Sequence, residues 1–172
     1  GHDNYNALLP TIRKTAEQKG IDAKVLALVI AVESDGKSTM RFKAGEKAYM
    51  RKYTMPALKQ DGRYHLNKQL RALYQTHLDN QWVRNEAEFA QLLSSGIGVA
   101  QIQGLGAFET GYRGNLNDLM TPEVGIPAAA EYLKKRCGKY LGNPVDASVR
   151  YNGGLPGHRE RAQEWLRLIE KK

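Results

Sequence analysis

Asp22-Ala-Lys-Val-Leu-Ala-Leu-Val-Ile-Ala-Val-Glu33-Ser34 reads as a helix with almost no polar face. Asp22 is a good N-cap, because its carboxylate can take up a backbone N–H that the first turn leaves unpaired. Val25, Leu26, Leu28, Val29, Ile30 and Val32 then present apolar groups all round, which predicts a helix running through the middle of the protein. Glu33 ends it. A carboxylate there meets the negative end of the helix dipole and apolar walls, and both disfavour its charged form. A general acid is kept protonated near neutral pH in this way. The bland alternative is a helix that emerges into solvent, with Glu33 and Ser34 as ordinary last-turn residues.

Before this stretch, Leu8, Leu9, Ile12 and Ala16 recur at helical spacing over residues 5–19, and Gly20 stands where a C-cap belongs. After it, Asp35-Gly36-Lys37-Ser38 is a turn by composition, and Thr39 to Lys43 alternates as a short strand, the only β structure expected. Residues 44–53 read as helix until Pro56, and Leu66, Leu70, Leu73, Tyr74 and Leu78 mark an amphipathic helix. Asn85 and Glu88 have the spacing of a capping box ahead of Phe89, Leu92 and Leu93.

Between Ser94 and Gly106, clustered glycines let backbone come close to another helix or a ligand. A dinucleotide fingerprint is rejected: Gln101 stands where the third glycine belongs, and no strand–helix–strand unit surrounds it. Thr121-Pro122-Glu123 opens a helix through Ala128, Ala129, Tyr132 and Leu133, with Pro127 in its first turns. Asn143-Pro144 opens another that runs into Tyr151-Asn152-Gly153-Gly154, and a last helix carries Trp165, Leu166 and Ile169. The fold class is mainly α, with at most a small β-hairpin.

The 172 residues fit one domain with its own core. An excess of Lys and Arg, 26 against 18 Asp and Glu, gives +8 and implies an acidic or polyanionic partner. The charge is spread along the chain without a basic block or an aromatic-interleaved stripe, which argues against nucleic acid. The single cysteine, Cys137, excludes an internal disulfide and is expected to pack in a helix. His2, His65, His77 and His158 have no metal-ligand spacing, so neither a metal nor a cofactor is expected. No apolar run is long enough to span a membrane, and the start does not read as a signal peptide. Gly1-His2 reads as a tag remnant.

Three pieces stand in one order: Glu33-Ser34 at a helix end, Gly98-Val-Ala-Gln101-Ile102 after a glycine-rich turn, and Tyr151-Asn152-Gly153-Gly154 after another helix. That order resembles the soluble lytic transglycosylase family, whose pattern is Glu-Ser, then Gly-Leu-Met-Gln-Ile, then Tyr-Asn-x-Gly, on a lysozyme-like helical fold. Leu119-x-x-Pro122-x-x-x-Ile126 and Tyr132-Leu133 look like the family's connection between its second and third motifs. Two departures stand out. Ala100 replaces the Met that packs on bound sugar in the family, and residues 35–93 form a long insertion where the family commonly has a short loop. Within it, Arg41-Phe42 followed by Tyr49 to Tyr53 loosely resembles phage-encoded N-acetylmuramidases, as does Gln101-Ile-Gln-Gly104, which suggests a phage or prophage origin.

The resemblance implies a single lysozyme-like catalytic domain over residues 1–172. It also implies a monomer that acts on peptidoglycan glycan strands at the bacterial cell wall or periplasm, either phage-delivered or secreted. By the same resemblance Glu33 is acid and then base, Tyr151 orients it through its hydroxyl, and Ser34, Gln101, Ile102 and Asn152 hold the sugar. Without the family, Tyr151 and Asn152 read equally as a helix C-cap turn, and Gln101 as a solvated helix residue. The expected product is a 1,6-anhydro end. A hydrolytic muramidase would ordinarily need a second carboxylate. Asp35, Glu46 and Asp61 are the nearby acids, none in a catalytic motif, and Glu46, between Gly45 and Lys47, reads as a surface residue. A non-catalytic glycan-binding module would keep the groove and have no use for Glu33. The aromatic and cationic groups Arg41, Phe42, Tyr49 and Tyr53 suit the insertion to the glycan groove; the alternative is a solvated helical cap.

Overall fold

The computed structural model describes residues 2–171, so Gly1 of the expected tag remnant lies outside it. It is 69% helical with a small antiparallel sheet, the mainly α, lysozyme-like class expected. Helix α1 (Asp3–Lys19) closes on Gly20 at φ 70°. Helix α2 (Ala23–Ser34) opens from Asp22, whose carboxylate accepts the Lys24 N–H at 2.8 Å. Residues Val25 to Ala31 are all buried, so the apolar stretch is a core helix.

The partners of α2 are α1, α9 (Pro144–Asn152) and α10 (His158–Glu170). Leu28 packs with Val145 of α9 and Ala162 of α10. Val25, Leu26, Val29 and Ile30 join the main core with Phe89, Phe108, Leu116 and Leu133. Each such side chain contributes about 1.5–3 kcal/mol on burial. Together they outweigh the cost of carrying one acid into partly dry surroundings at the helix end, a cost the group lowers further by keeping its proton.

The sheet is larger than the single strand expected. Met40–Arg41 (β1) pairs antiparallel with Gly96–Ile97 (β2), which pairs antiparallel with Ile102–Gln103 (β3). The two additional strands are two residues each inside a glycine-rich run, too short to carry a period-two signal. The glycines there admit backbone. Gly98 sits at φ 80°, and a Cβ on it would run into the Leu119 carbonyl; one on Gly104 would meet the Leu92 carbonyl.

Residues 35–93 share this core, with Leu58, Leu70, Leu73, Val83 and Phe89 buried in it. Helix α3 (Ala44–Tyr49) does not stop before Pro56. It continues through a π-helical turn, Met50–Thr54, into α4 (Met55–Leu58). Proline has no N–H and crowds the carbonyl four residues back, so a wider turn just ahead of it relieves the clash without ending the helix. Helix α5 (Asn67–Asp79) carries the Leu70 and Leu73 stripe. Asn85 caps α6 (Glu86–Ser94) by accepting the Glu88 N–H at 3.0 Å. The Glu88 carboxylate turns instead to the backbone and guanidinium of Arg84, so only half of the capping box forms. Helices α7 (Gly104–Glu109) and α8 (Pro122–Arg136) follow, and Cys137 lies buried just past the end of α8.

His77 is buried with both ring nitrogens engaged. Nδ1 donates to the Leu73 carbonyl at 2.8 Å and Nε2 accepts the Leu116 N–H at 3.1 Å, an arrangement that requires the neutral ring. Burial lowers its pKa, opposed by the Leu73 carbonyl. The unfolded chain therefore binds this proton at a higher pH than the fold does. The stabilisation is complete above the unfolded value of about 6.5 and is lost as pH falls through the lowered one. The difference in thermal midpoint between the parent and a His77→Gln variant, which has no imidazole to protonate, should accordingly move against the parent between pH 7 and pH 5 in calorimetry. A difference that moves in the parent's favour on acidification would show that the ring is not held neutral.

Candidate active site

Glu33 reaches its position as the penultimate residue of α2, and Asp35, at φ 52°, turns the chain away immediately after. Its side chain lies in a cavity of about 190 Å³ with Arg41 and Glu46 from the insertion, Gly96, Gln101, Ile102 and Gln103 from the hairpin, and Tyr132, Tyr151, Asn152 and Leu155. A larger cavity, about 480 Å³, lies between α7 and α8. Most of its charged groups are engaged with each other or with backbone: Lys19 with Glu131, and Lys135 with Glu131 and the Thr110 carbonyl. The smaller cavity is therefore the chemically equipped one.

The three sequence motifs meet through two hydroxyls. Ser34 donates to the Val99 carbonyl and accepts the Gly36 N–H at 3.0 Å. Tyr151 donates to the next carbonyl, Ala100, at 2.8 Å. Helices α2 and α9 thus grip consecutive peptide units of the hairpin turn. Gln101, at φ 50° and 8% exposed, fastens the same turn by donating to the Thr39 and Gly98 carbonyls, both at 2.9 Å. Ile102 is buried at the cavity wall, whereas Ala100, also buried, does not line the cavity.

The group hydrogen-bonded to Glu33 is Asn152. Its amide Nδ2 donates to Oε1 at 3.2 Å and lies 3.5 Å from Oε2, while its own oxygen faces the Leu155 N–H at 3.4 Å. Gly153 at φ 86° closes α9, so residues 151–154 are a helix C-cap and a wall of the site at once. The Tyr151 hydroxyl, expected to orient Glu33, is hydrogen-bonded to the hairpin and not to that carboxyl, and the Ser34 hydroxyl, expected to hold sugar, is hydrogen-bonded to backbone. Tyr151 remains close enough for the Glu33 charge to act on it, and burial, reinforced by that charge, holds its phenol well above the usual range. It stays a neutral donor.

Burial raises the pKa of Glu33; the Asn152 amide, then Arg41, then Arg161 pull the other way. Burial wins, so the carboxyl holds its proton to higher pH than a solvated glutamate. Glu46 departs from its sequence reading. It is no surface group: its side chain is 20% exposed, Oε1 accepts the Lys43 N–H at 2.8 Å, and Oε2 lies 3.7 Å from Nε of Arg41. Its position three residues past Lys43, at the start of a helix, is the available signal. Of the other two acids, Asp35 faces His2 at 3.1 Å, and Asp61 is exposed; neither is a cavity residue.

A carboxyl whose burial favours its protonated form, in a cavity of amides and tyrosines on a lysozyme-like helical scaffold, is the type of site that can protonate a glycosidic oxygen. The transglycosylase SLT domain profile matches residues 10–165, and the chain belongs to that family. No curated protein and no solved structure matched it. The family assigns lytic-transglycosylase-type cleavage of peptidoglycan, and hence action on the cell wall. No described helix is long and apolar enough to cross a membrane.

Asn152→Ala removes a donor that favours the ionised carboxyl, so the Glu33 pKa should rise further. The alkaline limb of the pH–kcat/KM profile should move to higher pH, with activity reduced because the carboxyl is no longer held. An unmoved or acid-shifted limb would show that this bond does not tune Glu33.

Proposed function

We propose that the protein cleaves the β-1,4 bond between N-acetylmuramic acid and N-acetylglucosamine without water, leaving a 1,6-anhydro end. Glu33 gives its proton to the bridging oxygen as the bond to the muramic acid C1 breaks, with the substrate's acetamido group assisting. The resulting carboxylate then takes the proton of the muramic acid 6-hydroxyl, whose oxygen closes on C1. Glu33 ends protonated and ready for another turnover. The observation that carries this reading is the buried Glu33 carboxyl, raised in pKa and hydrogen-bonded to an amide, while Glu46 in the same cavity is engaged by the Lys43 N–H and Arg41. Intramolecular attack also benefits from proximity, because the nucleophile is already part of the bound sugar. Tyr151, Ser34 and Gln101 act in this reading as positioning residues for the hairpin, while Asn152 and Ile102 face the sugar.

Glu46 supports a second reading, hydrolysis, because it lines the same cavity and could activate a water on the far side of the bond. Its two oxygens already face the Lys43 N–H and the Arg41 cation, which favours the non-hydrolytic route. Mass spectrometry of digested peptidoglycan separates the two, since anhydro ends are one water lighter than reducing ends. Predominantly reducing ends, abolished by Glu46→Gln, would establish the hydrolase.

Glu33→Gln keeps the shape and loses the transferable proton. Lysis of purified peptidoglycan should fall by a factor on the order of 10²–10⁴ with the circular dichroism unchanged. The raised pKa adds a stability signature. Its contribution is present below the unfolded glutamate value and lost as pH rises through the folded one. The glutamine variant should therefore melt above the parent at neutral pH, the gap closing in acid. Near-parental lysis by the variant would remove Glu33 from the mechanism.

A further inference from the structure

A line of tyrosines leaves the cavity and runs onto the insertion. Tyr151 and Tyr132 line the cavity with ring centroids 5.5 Å apart. Tyr49 stands on α3, the helix that brings Glu46 to the cavity, and its ring centroid lies 4.9 Å from that of Tyr53. Tyr53 remains 50% exposed, and Lys52 Nζ lies 5.3 Å from its ring centre. Beneath them Tyr64 donates to Glu109 at 2.6 Å, and Arg136 lies 3.6 Å from the other oxygen of that carboxylate.

The support is built in. Tyr53 sits in the π-helical turn, and the next residue, Thr54, is buried and accepts a hydrogen bond from Ser94 of α6 at 2.7 Å. A half-open aromatic ring is thus presented from a segment anchored to the core. Rings with polar tips, interleaved with cations, suit a partner that offers C–H faces, hydroxyls and carboxylates; they suit an apolar protein surface poorly. A glycan strand offers all three groups, and the line is continuous with the cavity that the strand would occupy.

We propose that Tyr49 and Tyr53 form a carbohydrate-binding platform beyond the cleavage cavity, stacking an N-acetylhexosamine ring of the same strand. This rests on the glycan-cleaving reading above. The platform makes long strands better ligands than short ones, because only they reach from Glu33 to Tyr53. On this account the insertion lengthens the groove.

The test uses Glu33→Gln protein, which binds without cutting, with chitohexaose and chitobiose as probes. Tyr53→Ala in that background should weaken chitohexaose binding about tenfold and leave chitobiose unchanged, while Tyr53→Phe binds like the parent because stacking needs the ring. Chitohexaose should also shift the Tyr53 ring signals in NMR. With Glu33 restored, Tyr53→Ala should raise KM on peptidoglycan and keep kcat. Equal chitohexaose affinity in Tyr53→Ala, or ring signals that do not move, overturns the platform. Those results beside Glu33-dependent lysis leave the cleavage reading standing. Tyr53 shifts without lysis by the unmutated protein would uphold the platform and overturn the cleavage.

Discussion

Two adjacent carbonyls, Val99 and Ala100, are held by two hydroxyls from opposite sides, Ser34 at the end of α2 and Tyr151 at the end of α9. The active-site geometry depends on this grip. It fixes the hairpin turn against the helix that carries Glu33 and against the helix that carries Asn152. Each hydrogen bond is worth only about 1 kcal/mol net, but leaving a buried carbonyl unpaired costs about 1–3 kcal/mol, so the grip is expensive to open. A residue can be essential to such a site without touching the sugar.

Electrostatically the cavity sets burial against charge, and burial wins. Asn152, Arg41 and Arg161 all favour the Glu33 carboxylate, while the apolar surroundings favour the acid. The acid-and-base role proposed for Glu33 needs both forms within reach, and this opposition suits it: dryness favours the proton, and the amide and cations favour its departure. Arg41 is itself balanced by Glu46 across the cavity, so the insertion contributes a cation and an anion together. Net charge, by contrast, says only that an acidic polymer would be drawn to the surface.

The insertion is bound to the rest by the same core that buries α2, through Leu58, Leu70, Leu73 and Phe89. The π-helical turn ahead of Pro56 is a local departure that lets one helix carry Tyr53 on the outside, Tyr49 half-buried against the core and Leu58 on the inside. A wider turn is one way a helix accommodates the missing N–H and the bulk of a proline ring. Here the adjustment coincides with the exposed aromatic ring.

The helices are legible in the chain itself, because apolar spacing and caps are local: Asp22, Gly20, Asn85 and Asn143 mark their ends, and the unbroken apolar run of α2 marks its depth. So is the placement of Glu33 at the end of that helix, in surroundings hostile to charge. Which side chain faces Glu33 is settled only by packing. Tyr151 and Asn152 are neighbours in the chain, but their side chains leave the last turn of α9 in different directions. The hydroxyl therefore reaches Ala100 and the amide reaches the acid. Likewise Glu46 reads as a surface residue, since its only strongly apolar neighbours in the chain are Phe42, Tyr49 and Met50. What brings it to the cavity is the pairing of Met40–Arg41 with Gly96–Ile97, a contact between segments far apart in the chain that no local pattern encodes.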